Sequence, residues 1–190
     1  MNKLSIIITY YNNEEHILDC IESIKKQRNQ NFDLIIVDDG STDSSANLIK
    51  DSISDYDKNI TYIKLEYNSG HAYARNKALE KVNTQYLMFL DADDQLASYA
   101  VEYYLSKVNG LDGLIAPIHK FTINKPQYVD KDKIRIEYLT QKSNPNSFLR
   151  KNTACNILFK TAIIKAHNIR FNENLKIYTD ASFILDYINY

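Results

Sequence analysis

The feature that most restricts this chain is an alternation of two periodicities over its first 95 residues, with each short apolar run closing on a polar cluster. Leu4–Thr9 is a β-branched run too short for a helix, and the polar Tyr11-Asn12-Asn13 bounds it, so a buried strand is predicted. From Glu14 to Gln27, Ile17, Cys20, Ile21 and Ile24 recur at helical spacing behind Asn13, which is the expected N-cap. The sequence then repeats itself in kind. Phe32–Val37 is a second strand, Asp38-Asp39-Gly40-Ser41 a turn, and Ser44–Ile53 a helix with Leu48, Ile49 and Ile53 on one face. Ile60–Leu65, Gly70–Val82 and Tyr86–Leu90 continue as strand, helix and strand. Strands alternating with helices require a parallel sheet with crossover helices, hence an α/β domain.

Beyond Asp94 the pattern loosens. Val101, Tyr104, Leu105 and Val108 predict a helix over Ser98–Lys107, Gly113–Thr122 a strand of unassigned direction, and Asn124–Asp132 a polar loop. Asn156–Phe159 reads as a short strand, with helices over Thr161–His167 and Thr179–Tyr190. A chain that stops within an amphipathic helix (Ile184, Leu185, Ile188) is expected to be part of a longer protein, truncated at its C-terminus.

Composition narrows the class. A length of 190 residues suits one domain, and 23 Lys+Arg against 24 Asp+Glu argues against a generic nucleic-acid surface. No apolar run approaches the ~20 residues that span a bilayer, and the N-terminus has no basic-then-apolar leader pattern. Cys20 and Cys155 are too few and too far apart for a disulfide framework or a structural zinc site, which favours a reducing cytoplasm.

In an open parallel sheet, ligands bind beyond the carboxyl ends of the strands. Four polar clusters fall there: Thr9-Tyr10-Tyr11-Asn12, Asp38-Asp39, Glu66-Tyr67-Asn68-Ser69 and Asp91-Ala92-Asp93-Asp94. Any one of them is ordinary turn chemistry; together they favour a site. Three carboxylates in Asp91–Asp94 repel one another unless a cation intervenes, and hard oxygens suit Mg²⁺ or Mn²⁺. The competing explanation is an N-terminal acidic cluster capping the helix Ser98–Lys107. Arg75 shares a helix face with Ala72, Ala78, Leu79 and Val82, so a guanidinium sits where the helix should pack on the sheet. A buried charge needs a partner, either a rim carboxylate or a ligand phosphate.

These motifs, Ile6–Asn12, Ile36–Asp43, Asn68-Ser69-Gly70 with Ala74-Arg75-Asn76, and Phe89–Asp94, taken in this order and spacing, resemble the family 2 glycosyltransferases of the GT-A fold, in particular bacterial members that build cell-surface glycans. The resemblance is strong over the first half and weak over the second. It implies an α/β, Rossmann-like three-layer sandwich with a mostly parallel central sheet. Residues 1–95 would be the nucleotide-sugar-binding half of one domain, and 96–190 the acceptor-binding half. It further implies an inverting transferase that moves a sugar from a nucleotide-diphosphate donor, a UDP-sugar first, to a hydroxyl of a glycan, polyol-phosphate or lipid-linked acceptor. Thr9 and Tyr11 would line the nucleotide pocket, Asp39 would accept a hydrogen bond from the base, and Arg75 would face the nucleotide. Asp91, Ala92 and Asp93 would contact the donor, with Asp93 and Asp91 holding Mn²⁺ or Mg²⁺. Asp180 would be the general base, on a helix face with Ile184 and Ile188; a first-turn dipole partner is its plainer role. Thr179 departs from the family, where Glu is common. The expected location is cytoplasmic, at the inner face of the membrane if a missing C-terminal region provides peripheral association.

Three rival classes follow. A nucleotide-sugar-binding module would bind donor without turnover. A phosphoacceptor signalling domain leaves Arg75 without a role, and a dinucleotide oxidoreductase lacks its Gly-x-Gly turn after strand one. Among the histidines only His71 is expected near the donor; His16, His119 and His167 have neither metal-ligand spacing nor a nucleophile partner. Cys20 is expected in the core, and Cys155 in packing rather than chemistry.

Overall fold

Leu4–Tyr10 (β1) is buried at all seven positions, as expected of a strand covered on both faces. The structure, a computed structural model, describes residues 3–108, 110–115, 137–139 and 153–190. After β1 the elements are Ile17–Lys25 (α1), Phe32–Asp38 (β2), Ser45–Ile53 (α2), Ile60–Lys64 (β3), His71–Leu79 (α3), Tyr86–Asp91 (β4) and Ala100–Lys107 (α4). Gly113–Ile115 (β5), Glu137–Leu139 (β6), a 3-10 turn at Ala154–Asn156, Ile157–Lys160 (β7), Thr161–Ala166 (α5) and Thr179–Ile188 (α6) complete them. The expected loop Asn124–Asp132, the end of the expected strand Gly113–Thr122 and His119 lie outside the described residues.

One sheet runs in the order β3-β2-β1-β4-β7-β5-β6. β1 pairs in parallel with β2 and β4, and β2 with β3. β7 runs against β4, and β5 against β7, so β5 points the same way as the first four strands. Side chains alternate across the strands and divide the core into two layers. Ile6, Ile8, Leu34, Ile36, Met88 and Leu90 face α1, α2 and α4. Ile7, Ile35, Val37, Leu87 and Phe89 face α3, α5 and α6. The α/β domain expected from the periodicities, in the three-layer form that the resemblance implies, is the observed architecture.

Two local expectations are corrected. Asn13 does not cap α1 with its side chain: the helix begins at Ile17, and the Asn13 carbonyl accepts the Ile17 N–H at 3.0 Å. The intervening turn is held instead by the entry to α2, because the Asn13 N–H donates to Ser45 Oγ (2.8 Å) and the Glu14 N–H to Asp43 (3.1 Å). Asp91–Asp94 likewise does not cap α4, which starts at Ala100 behind Tyr99. The cluster forms its own turn, with the Asp94 N–H on the Asp91 carbonyl at 3.0 Å.

Candidate active site

Strand register brings the four polar exits to one rim. Tyr10 pairs with Asp38, Asp38 with Lys64, and Thr9 with Asp91. A cleft of about 370 Å³ opens there, lined by Thr9, Tyr11, Asp39, Asp91, Ala92 and Asp93, all expected from the sequence. Asn13, Asn68, His71 and Ala74 line it as well.

The Asp38-Asp39 pair divides its labour. Asp38 is fully buried, accepting the Ser41 N–H at 2.7 Å and the Tyr62 hydroxyl at 3.3 Å, and so shapes the turn after β2. Asp39 accepts the backbone N–H of Ser69 (2.8 Å) and Gly70 (2.9 Å), fastening the loop after β3 beside the cleft. Burial pushes the Asp39 carboxyl up from its ordinary value, and those two N–H donors oppose the shift. Gly40, directly after Asp39, is required. Its φ is +75°, and a Cβ there would lie 2.4 Å from the Tyr67 carbonyl carbon.

Arg75 meets two rim carboxylates, one of the two kinds of partner that its helix face calls for. It is 2% exposed, and Nη1 lies 2.5 Å from Asp180 Oδ1 while Nη2 lies 3.1 Å from Asp91 Oδ1. The guanidinium packs over the rings of Phe89 and Phe171, 5.2 and 5.1 Å from their centroids. It therefore stands behind the cleft, joining the carboxylate at the end of β4 to the carboxylate in the first turn of α6. Asp180 is anchored a second time, because its Oδ2 accepts the Ala154 N–H at 2.9 Å from the 3-10 turn. Cys155 belongs to this back wall, with Sγ 3.3 Å from Arg75 Nη2, and burial pushes its thiol well up. Cys20 is a buried residue of α1, as expected.

One contributor was missed. Asn76, buried beside Arg75, accepts the Phe171 N–H (2.9 Å) and donates to the Phe171 carbonyl (2.9 Å) and to Glu173 (2.7 Å). It ties α3 to the segment leading into α6, where Phe171 stacks on Phe183 at 4.1 Å. His71 sits within 3.3 Å of Thr9 Oγ1, and burial followed by the nearby Arg75 charge lowers its pKa, which keeps the ring neutral near pH 7.

Asp93 and Asp94 are exposed, and Asp94 is raised by burial and then by repulsion from Asp91 and Asp93. That repulsion is the kind a cation relieves, and the donors are hard oxygens. Among the described residues no three metal-ligating side chains converge; Asp91 and Asp93 offer hard oxygens of the kind that Mg²⁺ or Mn²⁺ takes.

The mostly parallel sheet, covered on both faces and opening a cleft at the carboxyl ends of its parallel strands, is that of a GT-A type α/β protein. Residues 5–168 match the model of "Glycosyl transferase family 2", and the chain belongs to that family. It is 64% identical over 190 residues to a teichoic acid poly(glycerol phosphate) polymerase of Staphylococcus epidermidis, covering all of this chain and 26% of that protein. It is 29% identical over 199 residues to a poly(ribitol-phosphate) beta-glucosyltransferase of Bacillus spizizenii, covering 97% of this chain and 29% of the relative. The chain thus spans about a quarter of the length of these relatives. The crystal structure of S. aureus TarS 1-349 in complex with UDP-GlcNAc superposes with a TM-score of 0.80 at 23% identity, over 98% of this chain and 53% of that one.

Proposed function

We propose that this chain carries the donor site and general base of an inverting transferase that moves a sugar from a UDP-sugar to a hydroxyl of a polyol-phosphate polymer. The observation that carries this reading is the Arg75 bridge, which unites Asp91 and Asp180 at one rim although Arg75 and Asp180 lie 105 positions apart. The relatives' polyol-phosphate names and the UDP-GlcNAc of the TarS complex support the choice of acceptor and donor.

Thr9, Tyr11 and Asn68 would bound the nucleotide, with Asp39 accepting from the base. Asp91 and Asp93 would hold Mn²⁺ or Mg²⁺, whose charge neutralises the departing diphosphate. Asp180 takes the proton of the acceptor hydroxyl as its oxygen attacks the anomeric carbon; the bond from that carbon to the diphosphate breaks on the opposite face, and the configuration inverts. Arg75 and the Ala154 N–H each use one lone pair of the Asp180 carboxylate, so both oxygens keep another for the acceptor. Free thiols at Cys20 and Cys155 suit a cytoplasmic site for this reaction.

Asp180→Asn tests the reading, since it keeps size and abolishes basicity. Transfer from UDP-GlcNAc to a glycerol phosphate oligomer should fall by at least about 100-fold, with UDP affinity by calorimetry within twofold of wild type. Retained transfer would place the base elsewhere. Donor binding without turnover in the wild-type chain would favour a binding module, the reading to which Thr179 lends weight.

A further inference from the structure

Six large apolar side chains stand exposed among the described residues, and three of them, Leu175, Ile177 and Tyr178, fall within four positions just ahead of α6. Ile177 is 68% exposed and Tyr178 77%. Tyr178 also has a left-handed backbone, φ +62° and ψ +21°, although it is neither glycine nor asparagine. The other two non-glycine residues with positive φ among the described residues, Asn12 and Asn168, are of the type that tolerates it. Only the Tyr178 carbonyl serves the fold, accepting the Ser182 N–H at 3.0 Å; among the described residues its hydroxyl and ring have no partner. A bulky side chain held outward in a disfavoured conformation marks a functional position rather than a packing one.

Its location says what it meets. Tyr178 is two residues before Asp180, so their Cα atoms are at most about 7.6 Å apart. An acceptor oxygen within hydrogen-bond reach of Asp180 therefore brings the adjoining units of the acceptor past Tyr178. Lys176 lies between the apolar residues, is exposed, and has no ion-pair partner among the described residues. A chain of short carbon units joined by anionic links matches this spacing of apolar and cationic groups.

We propose that Leu175, Ile177 and Tyr178 form the acceptor shelf of the site, with the Tyr178 ring against the carbons of a polyol-phosphate unit and Lys176 beside a neighbouring phosphate. This rests on Asp180 being the base.

A glycerol phosphate hexamer is titrated into the 190-residue chain saturated with UDP, with UDP affinity, thermal midpoint and mass by light scattering read on the same samples. Tyr178→Gly removes the ring while accepting φ +62° freely; Tyr178→Phe keeps the ring. The glycine variant should bind the hexamer at least about 10-fold more weakly and Tyr178→Phe within threefold of wild type, with UDP affinity unchanged and the midpoint equal or higher. Equal hexamer binding by wild type and Tyr178→Gly, or none by wild type, overturns the shelf. A parallel loss of UDP affinity in Tyr178→Gly shows a structural role and overturns it too, as does a wild-type dimer that the glycine variant dissolves. Failure of UDP to bind the wild-type chain, in contrast, is a failure of the proposed function itself.

Discussion

Replacing Arg75 by methionine is the most informative perturbation of this chain. Methionine keeps most of the volume and removes the charge that Asp91 and Asp180 share at 3.1 and 2.5 Å. Breaking a fully buried ion pair by deleting one partner costs about 3–5 kcal/mol. Here the carboxylates keep 38% and 25% of their surface in water, which offsets part of the loss and brings the expected cost to about 2–3 kcal/mol. For a chain of this size that corresponds to roughly 4–12 °C in thermal midpoint. Urea unfolding at pH 7 reads the cost, and the double variant Arg75→Met/Asp180→Asn should lose about 1 kcal/mol less than the sum of the singles. A cost below about 0.5 kcal/mol would refute the bridge as described.

Three further outcomes are expected. Asp39→Ala should weaken UDP binding by about 1.5–3 kcal/mol in calorimetry, because it removes the proposed base contact and releases the Ser69 and Gly70 N–H groups together. Asp93→Asn should bind UDP-sugar weakly and gain little from Mn²⁺, and EDTA should add no further loss; a wild-type response to Mn²⁺ would remove Asp93 from the metal site. Gly40→Ala should destabilise the chain by more than about 1 kcal/mol in urea unfolding, since φ +75° and the 2.4 Å approach to Tyr67 leave no room for a methyl group.

The first half of this fold was legible because each element announces itself locally. Ile6-Ile7-Ile8 cannot be a helix of useful length, and Ile17, Cys20, Ile21 and Ile24 cannot be a strand, so the layers follow from periodicity. Helix boundaries were less legible where a tertiary contact decides them: Ser45 and Asp43 hold the start of the α1 turn, and nothing near Asn13 in sequence reveals that. Arg75 was visible as a buried charge, yet one of its carboxylate partners is Asp180, 105 residues away. Asn76 stands in one of the quoted motifs, yet nothing there signalled its role as a tie. A buried amide becomes a tie only once Phe171 and Glu173 are known to pass over α3, and their pairing has no periodicity to betray it.

The aromatic packing behind the site bears on how the chain becomes a folded object. Phe89 comes from before residue 95, while Phe159, Phe171 and Phe183 come from after it, and their rings meet edge-on or stacked at 4.1–6.2 Å. A division at residue 95 is therefore not one between units of folding. A fragment ending there would bare Phe89 and leave Arg75 charged in an open apolar face, so it should collapse loosely or aggregate rather than fold. Contacts this distant in sequence must close large loops before they stabilise anything, which makes the aromatic packing behind the cleft one of the late features to form, although the residues that line the cleft itself all lie before residue 94.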